Sequence, residues 1–304
     1  MTAHSLRRRW GGNRRERLID LAFVIPALAA LTAFLFYPVI YGVVISLHET
    51  KGFNLTKFVG LQQYADAFGD PIFLEALGRT LGFTFAAVIV QTGLGLLLAV
   101  LLSDVRRGRT FFRIVFFAPY VLAPIAVGTA WKWIYAPYFG VIPSTGSLFG
   151  IDALTVAPLA SIDFALVAIF VAFLWRYAGF NMVLYLAAIQ GLPDEYYEHA
   201  RLEGASRFQQ FRYVTWPLLW PQTFTIVLLT TIGTLHIFDL IWIMTGGGPA
   251  HATETVSTYV YKAAFVTHQP GFAQAMAMIV FVLAIVLALI EFKVLSRQVE
   301  KVSG

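Results

Sequence analysis

Two apolar stretches of this 304-residue chain contain side chains of the kind that bind hydroxyl-rich solutes. Aromatic rings offer flat faces to sugar rings, and amide or hydroxyl groups exchange hydrogen bonds with sugar hydroxyls. Tyr177 and Asn181 are four residues apart, so a helix would place them on one face. The candidate residues of a solute path are Trp175, Arg176, Tyr177, Gly179, Asn181, Thr234, His236 and Asp239.

The same residues also have structural explanations. A charge in lipid is costly and normally faces a cavity or a partner, so Arg176 and Asp239 could simply pair with each other. Asn181 and Thr234 could join neighbouring helices, since polar side chains hydrogen-bond across membrane helices. His236 alone is better explained by packing. The residues by themselves leave the solute path and the structural explanation open.

Helices in a membrane must position these residues. Only 13% of the chain is charged, against about 25% in an ordinary soluble domain. A membrane helix needs about 20 mostly apolar residues, and the apolar runs lack the alternation of a barrel. We predict an all-α polytopic membrane protein with six transmembrane helices in a single domain, residues 1–304. The predicted spans are Leu21 to Leu47, Leu81 to Leu102, Ile114 to Tyr135, Phe164 to Ile189, Pro217 to Met244 and Phe272 to Leu295.

The distribution of Lys and Arg predicts the orientation of these spans, because cytoplasmic loops are enriched in both. Sixteen lie in the N-terminal tail, the 103–113 loop, the 190–216 loop and the C-terminal tail, and four lie in the intervening segments. We therefore expect both termini inside, with residues 1–18 as a cytoplasmic tail and residues 190–216 as a cytoplasmic loop. Basic residues dispersed between apolar runs do not indicate a nucleic-acid partner. The chain has no cysteine, which excludes disulfides and thiol catalysis.

The 190–216 loop has the local signals of two short helices joined by a turn. Pro193 and the acidic residues after it suit a helix start. Gly204 suits a turn, Ser206 suits the cap of a second helix, and Pro217 suits the start of the next membrane helix. An amphipathic helix lying on the lipid surface is the structural alternative.

Spacing within this loop resembles the coupling loop of ABC importer permeases. Glu198-His199-Ala200 is followed after three residues by Gly204 and after nine more by Val214-Thr215-Trp216-Pro217. Phe238-Asp239 and Met244 to Pro249 resemble carbohydrate-importer permeases of the MalF/UgpA type, as do Ala118-Pro119-Tyr120, Gly128, Trp131 and Trp133. His199, Trp216, Arg79 and Pro143 depart from the family pattern. The similarity covers roughly residues 20 to 296.

This resemblance implies the type I ABC importer permease fold and a function. It assigns coupling to an ATPase to Glu198, His199, Ala200, Gly204 and Pro217. The implied partners are a second homologous permease subunit, two ATPase subunits, an extracytoplasmic solute-binding protein and the bilayer. The implied location is the bacterial cytoplasmic (inner) membrane, which the chain crosses several times.

Energy for transport is expected to enter from another chain. No Gly-x4-Gly-Lys-Ser/Thr motif is present, so we expect no cofactor in this chain, with ATP-Mg bound by the ATPase subunits. The predicted function is import of a sugar or sugar-like solute, such as an oligosaccharide or polyol. Arg176 raises the alternative of glycerol 3-phosphate or a glycerophosphodiester.

Two other function classes fit the sequence less well. A proton-coupled secondary transporter could use Arg176, His236 and Asp239, but such proteins typically show internal repeats, and no clear repeat is visible. An intramembrane enzyme lacks support from any His-Glu-x-x-His, Gly-x-Ser-x-Gly or paired-carboxylate motif. We therefore expect a pore subunit without catalytic residues or a metal site.

Overall fold

The computed structural model describes residues 24–52, 54–105, 107–149 and 157–303. The predicted 1–18 tail lies outside these described residues. The long helices are α1 (Val24–Ser46), α3 (Pro71–Ser103), α7 (Ala165–Gln190) and α13 (Pro270–Ser303). The shorter ones are α2 (Gln62–Gly69), α4 (Arg109–Val121), α5 (Pro124–Ile134), α6 (Val141–Phe149), α8 (Asp194–Leu202), α9 (Arg207–Leu218), α10 (Trp220–Leu235), α11 (Asp239–Met244) and α12 (Val256–Tyr261).

Four helices in the described ranges are long and apolar enough to cross a membrane, and two bent pairs raise the number to as many as six. The four are α1, α3, α7 and the Pro270–Val294 part of α13. Large apolar side chains remain exposed along them, for example Phe34 at 84% and Leu289 at 63%. Such extensive apolar exposure on a folded chain indicates contact with lipid or with another apolar subunit.

The prediction of one continuous helix for the third span was wrong. Helix α4 ends at Val121, α5 begins at Pro124, and the two axes differ by 98°. Pro124 explains the break, because a proline has no N–H for the carbonyl four residues before it and its ring obstructs that carbonyl. Hydropathy does not detect such a break, since the residues on both sides are apolar.

The fifth span differs from its prediction at both ends. Helix α9 begins before the predicted span, at Arg207, and meets α10 at a 65° bend beside Leu219. Helix α10 then ends at Leu235, and α11 begins only at Asp239. Pro217 and Pro221 flank the first bend and remove two backbone donors there.

The all-α prediction omitted one small antiparallel hairpin. Strand β1 (His48–Lys51) pairs with β2 (Asn54–Phe58) in the segment between α1 and α2. The hairpin is anchored to the last long helix, because the backbone N–H of Gly271 donates to the Thr50 hydroxyl at 3.1 Å. The rest of the described chain is predominantly helical.

A buried charged residue, Glu254, fixes the position of the loop between α11 and α12. Glu254 is fully buried, and its carboxylate accepts from Lys262 at 2.6 Å and lies 2.9 Å from a ring nitrogen of His251. Tyr259 donates to Asp70, the residue that caps the start of α3. Burial, and then the Asp70 carboxylate, raises the pKa of the Tyr259 phenol, which therefore remains a hydrogen-bond donor.

Helices α3 and α7 approach each other through Gly95. A Cβ atom on Gly95 would lie 2.5 Å from the Asn181 Cβ and 3.0 Å from the Asn181 carbonyl carbon. Gly179 of α7 faces α4 in the same way, with the Phe116 carbonyl oxygen occupying the space that a Cβ would need. Glycine at these positions lets membrane helices pack at short distance.

We expect Gly95→Ala to destabilise the protein by roughly 1–3 kcal/mol, the usual effect of overpacking a well-packed site. Gly93→Ala is the matched control, because it lies two residues away on the same helix and has nothing within 4 Å of its Cβ position. Thermal unfolding of the two variants in detergent, followed by loss of the monodisperse peak, measures the difference. Equal melting temperatures would contradict the close approach of α3 and α7.

Candidate functional site

A cavity of about 250 Å³ lies between α3, α4, α7 and α10. It adjoins two breaks between helices. The first break (residues 122–123) follows the end of α4, and the second break (residues 236–238) follows the end of α10. Its wall combines aromatic faces with amides and hydroxyls. The lining residues are Gln91, Tyr120, Phe173, Tyr177, Phe180, Asn181, Leu229, Thr230, Gly233 and Thr234.

Three of the predicted solute-path residues line this cavity: Tyr177, Asn181 and Thr234. Asn181 is 1% exposed, and its side-chain nitrogen has no hydrogen-bond partner among the described residues. The side-chain oxygen of Gln91, on the facing helix α3, is likewise buried and unpartnered. The Thr234 hydroxyl donates to the Thr230 carbonyl of its own helix at 2.7 Å. A donor and an acceptor thus remain available to a ligand.

The other predicted residues lie around the cavity rather than on its wall. Trp175 is 46% exposed and packs edge-on against Trp131 at 5.9 Å. Gly179 lies beneath α4. His236 and Asp239 are exposed and lie at the second break, where His236 follows α10 and Asp239 begins α11. The solute path through these residues stays a prediction.

Arg176 is buried behind Tyr177, at 7% exposure. Its guanidinium donates to the Tyr177 phenol at 2.6 Å and to the Leu122 carbonyl at 3.0 Å, with a longer contact of 3.4 Å to the Tyr120 carbonyl. Among the described residues it forms no ion pair with Asp239. The alternative of a pair between Arg176 and Asp239 is therefore not what the described residues show, because the acceptors of Arg176 are the Tyr177 phenol and the carbonyls of Tyr120 and Leu122.

Seven residues of the cavity wall were not among the predicted solute-path residues, namely Gln91, Tyr120, Phe173, Phe180, Leu229, Thr230 and Gly233. Gln91 was detectable as a polar side chain within a long apolar run. Tyr120 was visible as a polar aromatic side chain four residues before Pro124. Phe173 and Phe180 carried no signal, since the chain contains 27 Phe.

The 190–216 loop has the predicted arrangement of helix, glycine turn and helix. Gly204 separates α8 from α9 with a φ of +82°, a conformation that glycine adopts without strain. Ser206 caps α9 in a reciprocal arrangement, in which its hydroxyl accepts from the Gln209 N–H and its own N–H donates to the Gln209 side chain at 2.7 Å. These local predictions are confirmed.

This loop presents an exposed surface made of charged and apolar groups. Glu198 and His199 are exposed, Leu202 is 85% exposed and Phe208 is 74% exposed. The loop is tied to the body of the protein by a 3.0 Å hydrogen bond between the Tyr197 and Thr215 hydroxyls. Pro217, the last predicted coupling residue, lies inside α9 just before the bend. The assignment of these residues to coupling stays a prediction.

A second tie joins the loop to the chain after α3. Arg207 of α9 pairs with Asp104 at 2.8 Å, although both side chains are exposed and such a pair contributes little stability.

The described residues contain no group of three or more His, Asp or Glu side chains that could hold a metal ion. The cavity supports recognition of a polar ligand, and the exposed surface of the loop supports contact with a partner.

Comparison with known proteins agrees with this arrangement. A family profile described as "binding-protein-dependent transport system inner membrane component" matches residues 91–301. The chain is 35% identical to the probable ABC transporter permease protein YurN of Bacillus subtilis, over 92% of this chain and 96% of YurN. It is 33% identical to the lactose transport system permease protein LacF of Rhizobium radiobacter, over 89% of this chain and 90% of LacF.

The fold is shared with a solved transporter. A chain of a bacterial ABC transporter involved in the import of the acidic polysaccharide alginate superposes with a TM-score of 0.84, at 22% identity, covering 93% of this chain and 96% of that one. The predicted family is confirmed by the profile and by the relatives together. The chain belongs to the binding-protein-dependent transport inner membrane components, the permease subunits of ABC transporters.

Proposed function

We propose that this protein is a pore subunit of an ATP-driven importer for an uncharged, hydroxyl-rich solute such as an oligosaccharide or a polyol. The observation that carries the proposal is the pair of buried, unpartnered amide groups of Gln91 and Asn181 in an aromatic-walled cavity. A buried polar group without a partner costs free energy, and a bound hydroxyl can donate to one amide and accept from the other.

The orientation proposed for the chain places both termini and the 190–216 loop in the cytoplasm. Six spans result when α4 with α5 and α9 with α10 each count as one crossing, and the Lys and Arg distribution then alternates consistently. The hairpin β1–β2 and the loop before α12 fall on the opposite face. That face is where a solute-binding protein would deliver its cargo.

The proposed complex contains a second homologous permease, two ATPase subunits and a solute-binding protein. A cavity of 250 Å³ is small for an oligosaccharide, because ligand sites typically measure about 300–1,000 Å³. A facing permease would supply the other wall and would cover part of the exposed apolar surface. ATP-Mg would bind to the ATPase subunits, whose contact would be the Glu198–Gly204 surface.

Within the described residues, the buried cation Arg176 favours an anionic solute such as glycerol 3-phosphate. Against it, none of the residues that line the cavity in the described part of the chain is charged. The guanidinium of Arg176 is already bonded to a phenol and to backbone carbonyls. An uncharged solute therefore fits the cavity better than a phosphate.

Reconstitution tests the proposed function. The full-length chain is co-expressed with candidate permease and ATPase subunits, and the complex is purified and placed in liposomes with its solute-binding protein. We expect the subunits to copurify and uptake of labelled sugar to require internal ATP. Uptake by this chain alone, driven by a proton gradient, would instead establish a secondary transporter and refute the proposal.

The cavity predicts a specific loss of solute affinity. We expect Asn181→Leu to raise the KM for uptake about tenfold, since the loss of one hydrogen bond to a polar ligand costs on the order of 1.4 kcal/mol. Thr225→Val is the control, because its exposed hydroxyl bonds only to the Pro221 carbonyl of its own helix. Initial rates of uptake against solute concentration measure both. An unchanged KM for Asn181→Leu would remove Asn181 from the solute path.

Coupled uptake is predicted to depend on the backbone conformation at Gly204 rather than on the space around it. Nothing lies within 4 Å of a Cβ at this position, so only the positive φ opposes substitution. We expect Gly204→Val to reduce coupled uptake strongly, because a β-branched residue at positive φ is a severe outlier. Gly204→Asn should retain most of the uptake, because Asn tolerates this conformation.

The readout for these two variants is uptake per ATP hydrolysed, together with copurification of the ATPase. Gly191→Val is the positional control, because Gly191 lies in the same 190–216 loop with an ordinary φ of −86°. Equal uptake in Gly204→Val and Gly204→Asn would show that the shape of the turn does not matter for coupling.

A further inference from the structure

The first break leaves backbone carbonyls that the helix itself cannot satisfy. In a continued helix the Tyr120 carbonyl would accept from residue 124, but residue 124 is a proline and has no N–H. Leu122 is already extended, with φ −66° and ψ 142°, so its carbonyl has left the helical ladder. Hydrocarbon offers no donor, so the protein has to supply one.

Arg176 of the neighbouring helix α7 supplies that donor. One of its terminal nitrogens lies 3.0 Å from the Leu122 carbonyl and 3.4 Å from the Tyr120 carbonyl, and the other lies 2.6 Å from the Tyr177 phenol. The C-terminal end of a helix carries partial negative charge, so the end of α4 also stabilises the buried cation. The positive charge of Arg176 is therefore stabilised by groups of the protein itself.

The same guanidinium orders two tyrosines of the cavity wall. It lies 4.7 Å from the centroid of the Tyr177 ring and 5.9 Å from that of Tyr120, distances at which a cation is attracted to an aromatic ring. Tyr120 in turn stacks on Phe180, with ring centroids 4.5 Å apart. All three rings line the cavity.

We propose that Arg176 is a positioning residue, which holds the break between α4 and α5 closed and fixes the Tyr120 and Tyr177 walls without contacting the solute. It depends on the proposed function only in treating the cavity as the solute path. Lysine is a poor substitute, because its compact ammonium lacks the planar fork that reaches two carbonyls and a phenol at once.

A cysteine reporter tests the closure of the break. The chain contains no cysteine, so Val127→Cys introduces one thiol at a 1% exposed position in the first turn of α5. Ala275→Cys introduces a matched, fully buried thiol in α13, away from the break. The rate of reaction with N-ethylmaleimide is measured for each reporter in the full-length protein, with Arg176 intact and with Arg176→Met, Arg176→Lys or Tyr177→Phe.

We expect Arg176→Met to raise the labelling rate at Val127→Cys about tenfold, since loss of hydrogen bonds to a charged group shifts a local opening equilibrium by that order or more. Arg176→Lys should give an intermediate rate. Tyr177→Phe should leave the rate within about twofold, because it removes the phenol but keeps the ring and the two carbonyl contacts. The rate at Ala275→Cys should not change.

Two results would overturn the proposal. The first is an unchanged rate at Val127→Cys in Arg176→Met. The second is an equal rise at both reporters, which would mean global destabilisation rather than opening at the break. The labelling needs no transported solute, so a wild-type complex without ATP-driven sugar uptake would refute the proposed function and leave this test intact.

Discussion

Backbone polar groups inside a membrane need partners within the protein, and the whole arrangement around the cavity depends on how two interrupted spans meet that requirement. At the first break, the Leu122 carbonyl accepts from Arg176. At the second, the Ile237 carbonyl accepts from the Thr255 hydroxyl at 3.3 Å. Both donors come from other elements of the fold. Neither break could exist on an isolated helix in lipid, so the spans and their neighbours must assemble as a unit.

The cavity also requires that its walls come close without filling it. Glycine at positions 95 and 179 lets α3 and α4 approach α7 almost backbone to backbone. Asn181 lies against Gly95, so the contact that joins the helices also places an amide at the cavity wall. Gln91 lies four residues before Gly95, on the same face of α3. The same glycines thus allow close packing of α3 and α4 on α7 next to the unfilled cavity.

Sequence predicted well what depends on local chemistry. Hydropathy located α1, α7 and the apolar parts of α3 and α13, because each contains a single long apolar run. The first ten residues of α3, which include Glu75 and Arg79, lie outside the predicted span. Gly204 and Ser206 identified the helix-turn-helix of the 190–216 loop, because turn conformation and capping depend on neighbouring residues. The family itself was recognisable, because its motifs are defined by spacing along the chain.

What depends on several elements at once was not predicted. Pro124 was visible, but nothing local indicates that the chain turns by 98° there. Nor does the local sequence indicate that Arg176 of another helix donates hydrogen bonds to the carbonyls at this break. The cavity wall draws on four helices, and Tyr120 enters it only because α4 ends beside α7. The hairpin β1–β2 was not predicted, because its two strands are short and pair only with each other. Tertiary contacts decide each of these features.

Between the 190–216 loop and the cavity, the chain is helical almost throughout. From Ser206 to Leu235 the only interruption in the described helices is the bend beside Leu219, and that residue is 1% exposed and packed in the core. The capping of α9 and the Tyr197–Thr215 hydrogen bond make the loop a compact body joined directly to α10. A helix transmits displacement along its axis because its hydrogen bonds resist extension. Under the proposed function, a displacement of the loop surface would therefore reach the 229–234 wall of the cavity without crossing a flexible linker, and the buried bend at Leu219 would set its direction.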